Sequence, residues 1–305
     1  MKVLTSIGKC CLRALMLLFG ALPLRLQYAN ARFLAWFASD VLRYRRDVVM
    51  DNLTKSFPEK NSEEIKALCK AFYRHFADIV AEAFWFGASN RKRIRRQGIC
   101  RIANPEVPAA LYDNCNGVVL LSSHMGNWEL YGGIELYNAP GADSRLRTEN
   151  FYSVYKKQSS KIWDDILAKN RLAPLKGDWS DHLLESSDVV RFIFRHAGEK
   201  LFYNFITDQC PYRNSHANVP VEFMHRNTVS MTAGAALAAK FGMGIAYMGM
   251  RPEGRGHYVL EFTEIARNAS GMDVQQIMQQ YYRLLEKDLN AAPESYLWTH
   301  RRWKR

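Results

Sequence analysis

Four short apolar runs constrain this chain more than any other feature. They are Val118–Ser122 (VVLLS), 201–207 (LFYNFIT), 244–249 (GIAYMG) and 258–262 (YVLEF). Each is too short for a stable helix and is bounded by turn residues, so each reads as a strand. VVLLS carries no charge and does not alternate, as expected of a strand covered on both faces. Helical patterns lie between the runs, over 130–137, 160–170, 181–196 and 228–241. Strands that alternate with helices predict an α/β fold, with a mostly parallel central sheet flanked by helices. Two longer helices frame it. Over 62–86 the apolar positions recur at three and four, with Ser62 as cap and Gly87 as terminator. Over 274–289 Asp273 caps the last helix and Pro293 lies beyond its end.

The N-terminus is of another kind. Residues 14–24 (ALMLLFGALPL) are uncharged, between Arg13 and Arg25. Eleven helical residues rise only about 16 Å, too little for a hydrocarbon core of roughly 30 Å. Lys2, Lys9 and Arg13 would suit a signal peptide, but no small-x-small cleavage site follows. The chain stays apolar through Phe33, Leu34, Trp36, Phe37, Val41 and Leu42. Residues 1–45 are therefore expected to be a retained membrane anchor or interfacial helices, with 46–305 as the second unit. A core helix pair is the alternative. Lysine plus arginine outnumber aspartate plus glutamate 42 to 30, a net charge of +12, which points to an anionic partner. The six cysteines form no C-x-x-C pair, which argues against a zinc ribbon or a disulfide framework.

The chemistry concentrates in Ser122-Ser-His-Met-Gly-Asn-Trp-Glu129. His124 and Glu129 are five residues apart. On one helix they would diverge by about 140°. A strand ending near Ser122, a turn over 125–127 and a helix from Trp128 instead put His124 at the carboxyl end of a strand, where open α/β sheets hold ligands. Glu129 is then expected to fold back and fix the imidazole tautomer, making His124 a general base. Ser122 or Ser123 could serve as nucleophile, although no G-x-S-x-G elbow surrounds them. The bland alternative is a buried structural histidine with a capping glutamate.

The stretch His124-Met-Gly-Asn-Trp-Glu129 resembles the H-x4-[DE] block of the bacterial lipid A biosynthesis acyltransferases, the secondary or late acyltransferases, which typically reads H-F-G-N-W-E. Three further stretches are similar to the same family in the same order. They are Thr207-Asp-Gln209, Val219-Pro-Val-Glu-Phe223 with the helical segment after Thr232, and Pro293-Glu-Ser-Tyr-Leu-Trp-Thr-His-Arg-Arg-Trp-Lys304. The resemblance implies an acyltransferase on the cytoplasmic face of the inner membrane. It would move a fatty acyl group from acyl carrier protein to a hydroxyl of a lipid A precursor, with no cofactor, no metal and no covalent enzyme intermediate. His124 would be the base and Glu129 its orienting partner. Asn127, Tyr155, Lys156, Arg171, Asp208 and Gln209 would contact substrate. Lys156 stands where the family has an arginine, exchanging a bidentate fork for a point charge. Glu222 and Met224 interrupt the family's V-P-F-F-G.

Other candidates are less specific. Arg91-Lys-Arg-Ile-Arg-Arg96 holds five cations in six residues and suits acidic protein or anionic headgroups, or forms a solvated loop. The basic tail 300–305 carries Trp303 as a possible interfacial anchor. His75 and His196 fall inside helical patterns. His182, His216, His225 and His257 show no metal-ligand spacing. Two competing readings stay open: an acyltransferase acting on a lysophospholipid or aminolipid, and a basic membrane- or nucleic-acid-binding protein without chemistry. No nucleic-acid module is recognisable, so no nucleic-acid partner is expected.

Overall fold

The alternation of side chains along β-strands organises the molecule. In the computed structural model, which describes residues 2–157, 160–175, 177–211 and 218–304, the VVLLS strand is buried at all five positions. Val119 and Leu121 enter one hydrophobic core, and Val118 and Leu120 enter a second. Successive Cβ atoms point to opposite faces, so a strand with no polar face must be covered on both sides.

The N-terminal elements are α1 (Lys2–Ala21), α2 (Leu24–Trp36), α3 (Arg46–Ser56), α4 (Ser62–Gly87) and α5 (Arg91–Gln97). Then come β1 (Cys100–Ile102), α6 (Glu106–Asn114), β2 (Val118–Ser122) and a 3₁₀ helix, Trp128–Tyr137. The middle of the chain supplies β3 (Phe151–Tyr155), α7 (Lys161–Leu172), β4 (Leu183–Glu185), α8 (Val189–Arg195) and β5 (Phe202–Ile206). The last third holds β6 (Asn218–Phe223), β7 (Arg226–Met231), α9 (Ala233–Phe241), β8 (Gly244–Gly254), β9 (His257–Ala266) and α10 (Val274–Ala291).

Seven strands form one sheet in the order β1-β9-β8-β2-β5-β3-β4. All neighbours are parallel except β8 and β9. This is the expected mostly parallel α/β sheet, with β2 and β5 at its centre. β6 and β7 form a separate hairpin. Tyr203, Tyr247, Tyr281 and Trp298 belong to one core; Trp85, Phe86, Leu130 and Phe202 belong to the other.

Several local expectations need correction. The pattern over 181–196 is not one helix: a short turn, β4 and α8 share it. The pattern over 228–241 begins as β7, because Thr228 and Val229 pair with β6 before α9 starts. Asn61, not Ser62, caps α4; its carboxamide oxygen accepts from Glu63 N and Glu64 N, and Glu64 returns a bond to Asn61 N. The cationic run 91–96 is helix α5 rather than a loop. His216 and Gln158 lie outside the described residues.

The N-terminal segment is a bent pair of helices. Among the described residues no single helix is long and apolar enough to cross a membrane; Cys10–Ala21 and Leu24–Val41 reach that length and composition only together, bent by 118°. One side packs on α4, where Phe19 meets Phe84 edge-on at 6.0 Å. The other side leaves Leu15, Leu18, Leu26, Phe33, Trp36 and Leu42 exposed. The segment is thus neither a fully buried core pair nor a single spanning helix. Arg93 of α5 closes the end of α1 by donating to the carbonyls of Gly20, Ala21 and Leu22, with its guanidinium 5.0 Å over the Trp85 ring.

Gly132 sets the docking of α7 on the 3₁₀ helix. A Cβ there would lie 2.1 Å from the Arg171 carbonyl oxygen. Gly132→Ala is expected to cost about 1–3 kcal/mol, read as a lower midpoint in chemical denaturation with an unchanged slope.

Candidate active site

The register of β2 and β5 builds the centre of the site. Ser122 is paired with Ile206 in parallel. Thr207 N bonds Ser122 O, so the chains stay in step just past the strand ends. Two residues beyond the last pair stand His124 and Asp208. One oxygen of Asp208 accepts from both the His124 backbone N–H, at 3.1 Å, and Nδ1, at 2.8 Å. An ionised carboxylate only accepts, so Nδ1 carries a proton, and in the neutral imidazole the lone pair is then on Nε2. Gln209 Nε2 lies 3.3 Å from that Nε2, and the Trp128 ring stands edge-on 5.1 Å from the imidazole. Burial pushes the Asp208 carboxyl up, but His124 and backbone N–H groups outweigh it, holding the group below the ordinary carboxylate range.

The imidazole Nδ1 thus faces Asp208 rather than the expected Glu129, although the His124 charge is among those that act on Glu129. Glu129 is bound instead by Arg171 of α7 in a two-pronged contact, Nε to Oε2 at 2.8 Å and Nη2 to Oε1 at 2.7 Å. Burial raises the Glu129 carboxyl, and the Arg171 charge with its hydrogen bonds more than reverses this. A glutamate five residues after a strand-end histidine has already entered the next helix, and here that helix turns it toward α7. Ser122 and Ser123 are both fully buried, and Ser122 Oγ donates to Asn204. Neither stands where an incoming substrate could reach it.

The turn between His124 and Glu129 is held from three sides. Gly126 N donates to Ser295 O, and Leu297 N donates to His124 O, so the C-terminal segment lies along the turn. His75 Nε2 meets Gly126 O at 3.1 Å from α4. Gly126 has φ +66°, and a Cβ there would sit 2.8 Å from Met250 O. Asn127 is fully buried: its Oδ1 accepts from Glu129 N and its Nδ2 donates to Glu82. Its expected place against substrate is therefore occupied by support of the turn.

An apolar cleft lies on the other side of Trp128 from the imidazole, with Trp128, Ile134, Phe151, Leu172 and Ile206 among its walls and Arg171 and Tyr155 among its polar lining residues. The expected site residues thus fall into two groups that share the Trp128 wall. His124, Asp208 and Gln209 form one; Glu129, Arg171 and Tyr155 form the other. Lys156 is exposed past the end of β3. Among the described residues no cluster of three metal-ligating side chains occurs.

Sequence reasoning missed Glu82. It is fully buried on α4 and accepts from Tyr28, Tyr258 and Asn127. Its spacing from Ile79 and Phe86 already puts it on the apolar stripe of that helix, where a carboxylate is out of keeping. Burial pushes its carboxyl up to about 7 despite the three donors.

Comparison with protein-family models decides the class. The model of the bacterial lipid A biosynthesis acyltransferases matches residues 3–162 and 182–305. The chain belongs to this family. It is therefore an acyltransferase, and the reading as a binding protein without chemistry falls. The match begins within the apolar N-terminal helices, so they belong to the family's pattern as well. A search of curated proteins returned no match.

Two stability experiments follow. Arg171→Ala leaves Glu129 buried without its cation and is expected to cost about 3–5 kcal/mol in denaturant unfolding. For Glu82, the folded group holds a proton that the unfolded chain releases near the ordinary glutamate value of 4.5. Its contribution to stability therefore declines as pH rises through that value towards about 7, by roughly 3 kcal/mol in all. Unfolding free energies of wild type and Glu82→Gln, taken from pH 4.5 to 8, should converge or cross in that direction because glutamine does not titrate.

Proposed function

We propose that this enzyme moves a fatty acyl chain from acyl carrier protein to a hydroxyl of a lipid A precursor, at the cytoplasmic face of the inner membrane. The observation that carries the reading is the His124–Asp208 contact, with Trp128 standing between the imidazole and an apolar cleft. Asp208 keeps the proton on Nδ1, so Nε2 takes the proton of the acceptor hydroxyl as its oxygen attacks the thioester carbonyl. The oxygen–carbon bond forms and a tetrahedral oxyanion results. Its collapse breaks the carbon–sulfur bond, and the imidazolium returns the proton to the departing thiolate. No enzyme-bound acyl group is needed. The Gln209 amide, which rests against Nε2, marks the position the acceptor hydroxyl would take.

In this scheme Glu129 acts through Arg171 rather than through His124. The pair sets a guanidinium at the cleft edge, suited to the developing oxyanion or to substrate phosphate. Tyr155 and Lys156 extend that polar edge toward the acceptor headgroup, and the apolar walls suit the acyl chain. Residues 1–45 dock the enzyme on the bilayer through the exposed face of the bent helices, and 46–305 form the catalytic unit. Arg25 lies beside exposed Leu26 in the chain, and Arg93 of α5 holds the end of α1, so anionic headgroups would meet cations there. Lys156 in place of the family's arginine keeps a second acceptor open, a lysophospholipid or aminolipid.

The test is lipid mass spectrometry of a host strain lacking this gene, complemented with wild type or variants. A lipid A species one acyl chain heavier, present only with wild type, is expected. His124→Ala should cut turnover by about 10²–10⁴-fold and Asp208→Asn by roughly 10²-fold. Near-normal turnover in His124→Ala would overturn the mechanism. A shifted phospholipid or aminolipid peak with unchanged lipid A would move the acceptor to the second reading.

A further inference from the structure

We propose that Glu82 is a positioning residue whose buried carboxylate joins the apolar N-terminal helices, through Tyr28, to the turn that carries His124, through Asn127. The inference rests on the reading of His124 as the base and adds to it a structural link from the docking surface to the site.

The link is short and fully specified. Tyr28 Oη of α2 donates to Glu82 Oε1 at 2.7 Å. Asn127 Nδ2 and Tyr258 Oη donate to Glu82 Oε2 at 2.8 and 2.7 Å. The other end of Asn127 accepts from Glu129 N at 3.2 Å, so the same amide sets where Glu129 enters the 3₁₀ helix. Among the described residues no cation pairs with Glu82. Arg255, which acts on Glu82 only through its charge, is paired with Asp78, donates to Tyr28 O and lies 4.2 Å over the Tyr28 ring. Gly256 leaves room for the phenol, since a Cβ there would sit 2.2 Å from Tyr28 Oη.

A buried carboxylate with no cation in direct contact is costly, and an apolar residue would fill the space more cheaply. What the carboxylate adds is direction. Two oxygens and three donors fix one orientation of Asn127 only while Tyr28 is seated. Tyr28 belongs to the helix pair whose far side is exposed and apolar. The N-terminal helices are therefore part of the frame of the site, and whatever shifts α2 against α4 reaches the turn beside His124.

Tyr28→Phe removes one hydroxyl and keeps the ring under Arg255. Full-length protein in detergent micelles is expected to lose roughly tenfold in kcat, the scale of one hydrogen bond to a charged group, with KM little changed. Glu82→Gln should lose at least as much, and adding Tyr28→Phe to it should cost nothing further because both act through one contact. Hydrogen–deuterium exchange should rise over 124–131 in Tyr28→Phe and stay at the wild-type level over α10. Unchanged exchange over 124–131 would overturn the proposal, whatever reaction the enzyme performs. So would losses that simply add, an unaltered kcat, or exchange that rises equally over α10. Wild-type protein that transfers no acyl group would instead count against the proposed function, and the exchange measurement would still decide the link.

Discussion

The parallel pairing of β2 with β5 is the constraint on which the site depends. Both strands are buried on two faces, so neither can slip by one residue without turning its side chains over. With Ser122 opposite Ile206, His124 and Asp208 stand side by side two residues past the ends of neighbouring strands. Asp208 is almost wholly buried, and its charge is tolerable because the imidazole and backbone N–H groups point at it. The register thus supplies the carboxylate that the histidine needs, from a segment some eighty residues away.

Around that pair, two buried glutamates show how surroundings decide what a carboxylate is. Glu129 meets a guanidinium in a two-pronged contact and is held below the ordinary carboxylate range. Glu82 meets three neutral donors and is raised to about 7. A full opposite charge offsets the loss of water; dipoles offset only part of it. The first glutamate is a fixed anion that holds a cation at the cleft edge. The second can share a proton near neutral pH while still orienting Asn127.

The strands were the most legible part of the chain. VVLLS is β2 residue for residue, and Asp273 caps α10 as expected. The four ordered family blocks also found His124, Asp208 and Gln209. The pairing among them was not legible. Glu129 is the nearest carboxylate to His124 in the sequence, and spacing favours it; the partner in space comes from the next strand. β3 and β4 escaped notice because their sides are half-exposed and carry mixed residues, and β4 is only three residues long. Arg171 was found only by resemblance, since nothing in the helical pattern of α7 says which way its last turn faces.

Taken by itself, the sequence determined the α/β class, the buried central strands, the apolar N-terminal segment and the family, because these rest on hydrophobic period and on ordered local motifs. Tertiary structure alone decided that Asp208 rather than Glu129 holds the imidazole, that Glu129 holds Arg171, and that Glu82 joins Tyr28 to Asn127. Each is a contact between charged or polar groups far apart in the chain. Which of them meet depends on strand register and helix docking, and no local pattern encodes either.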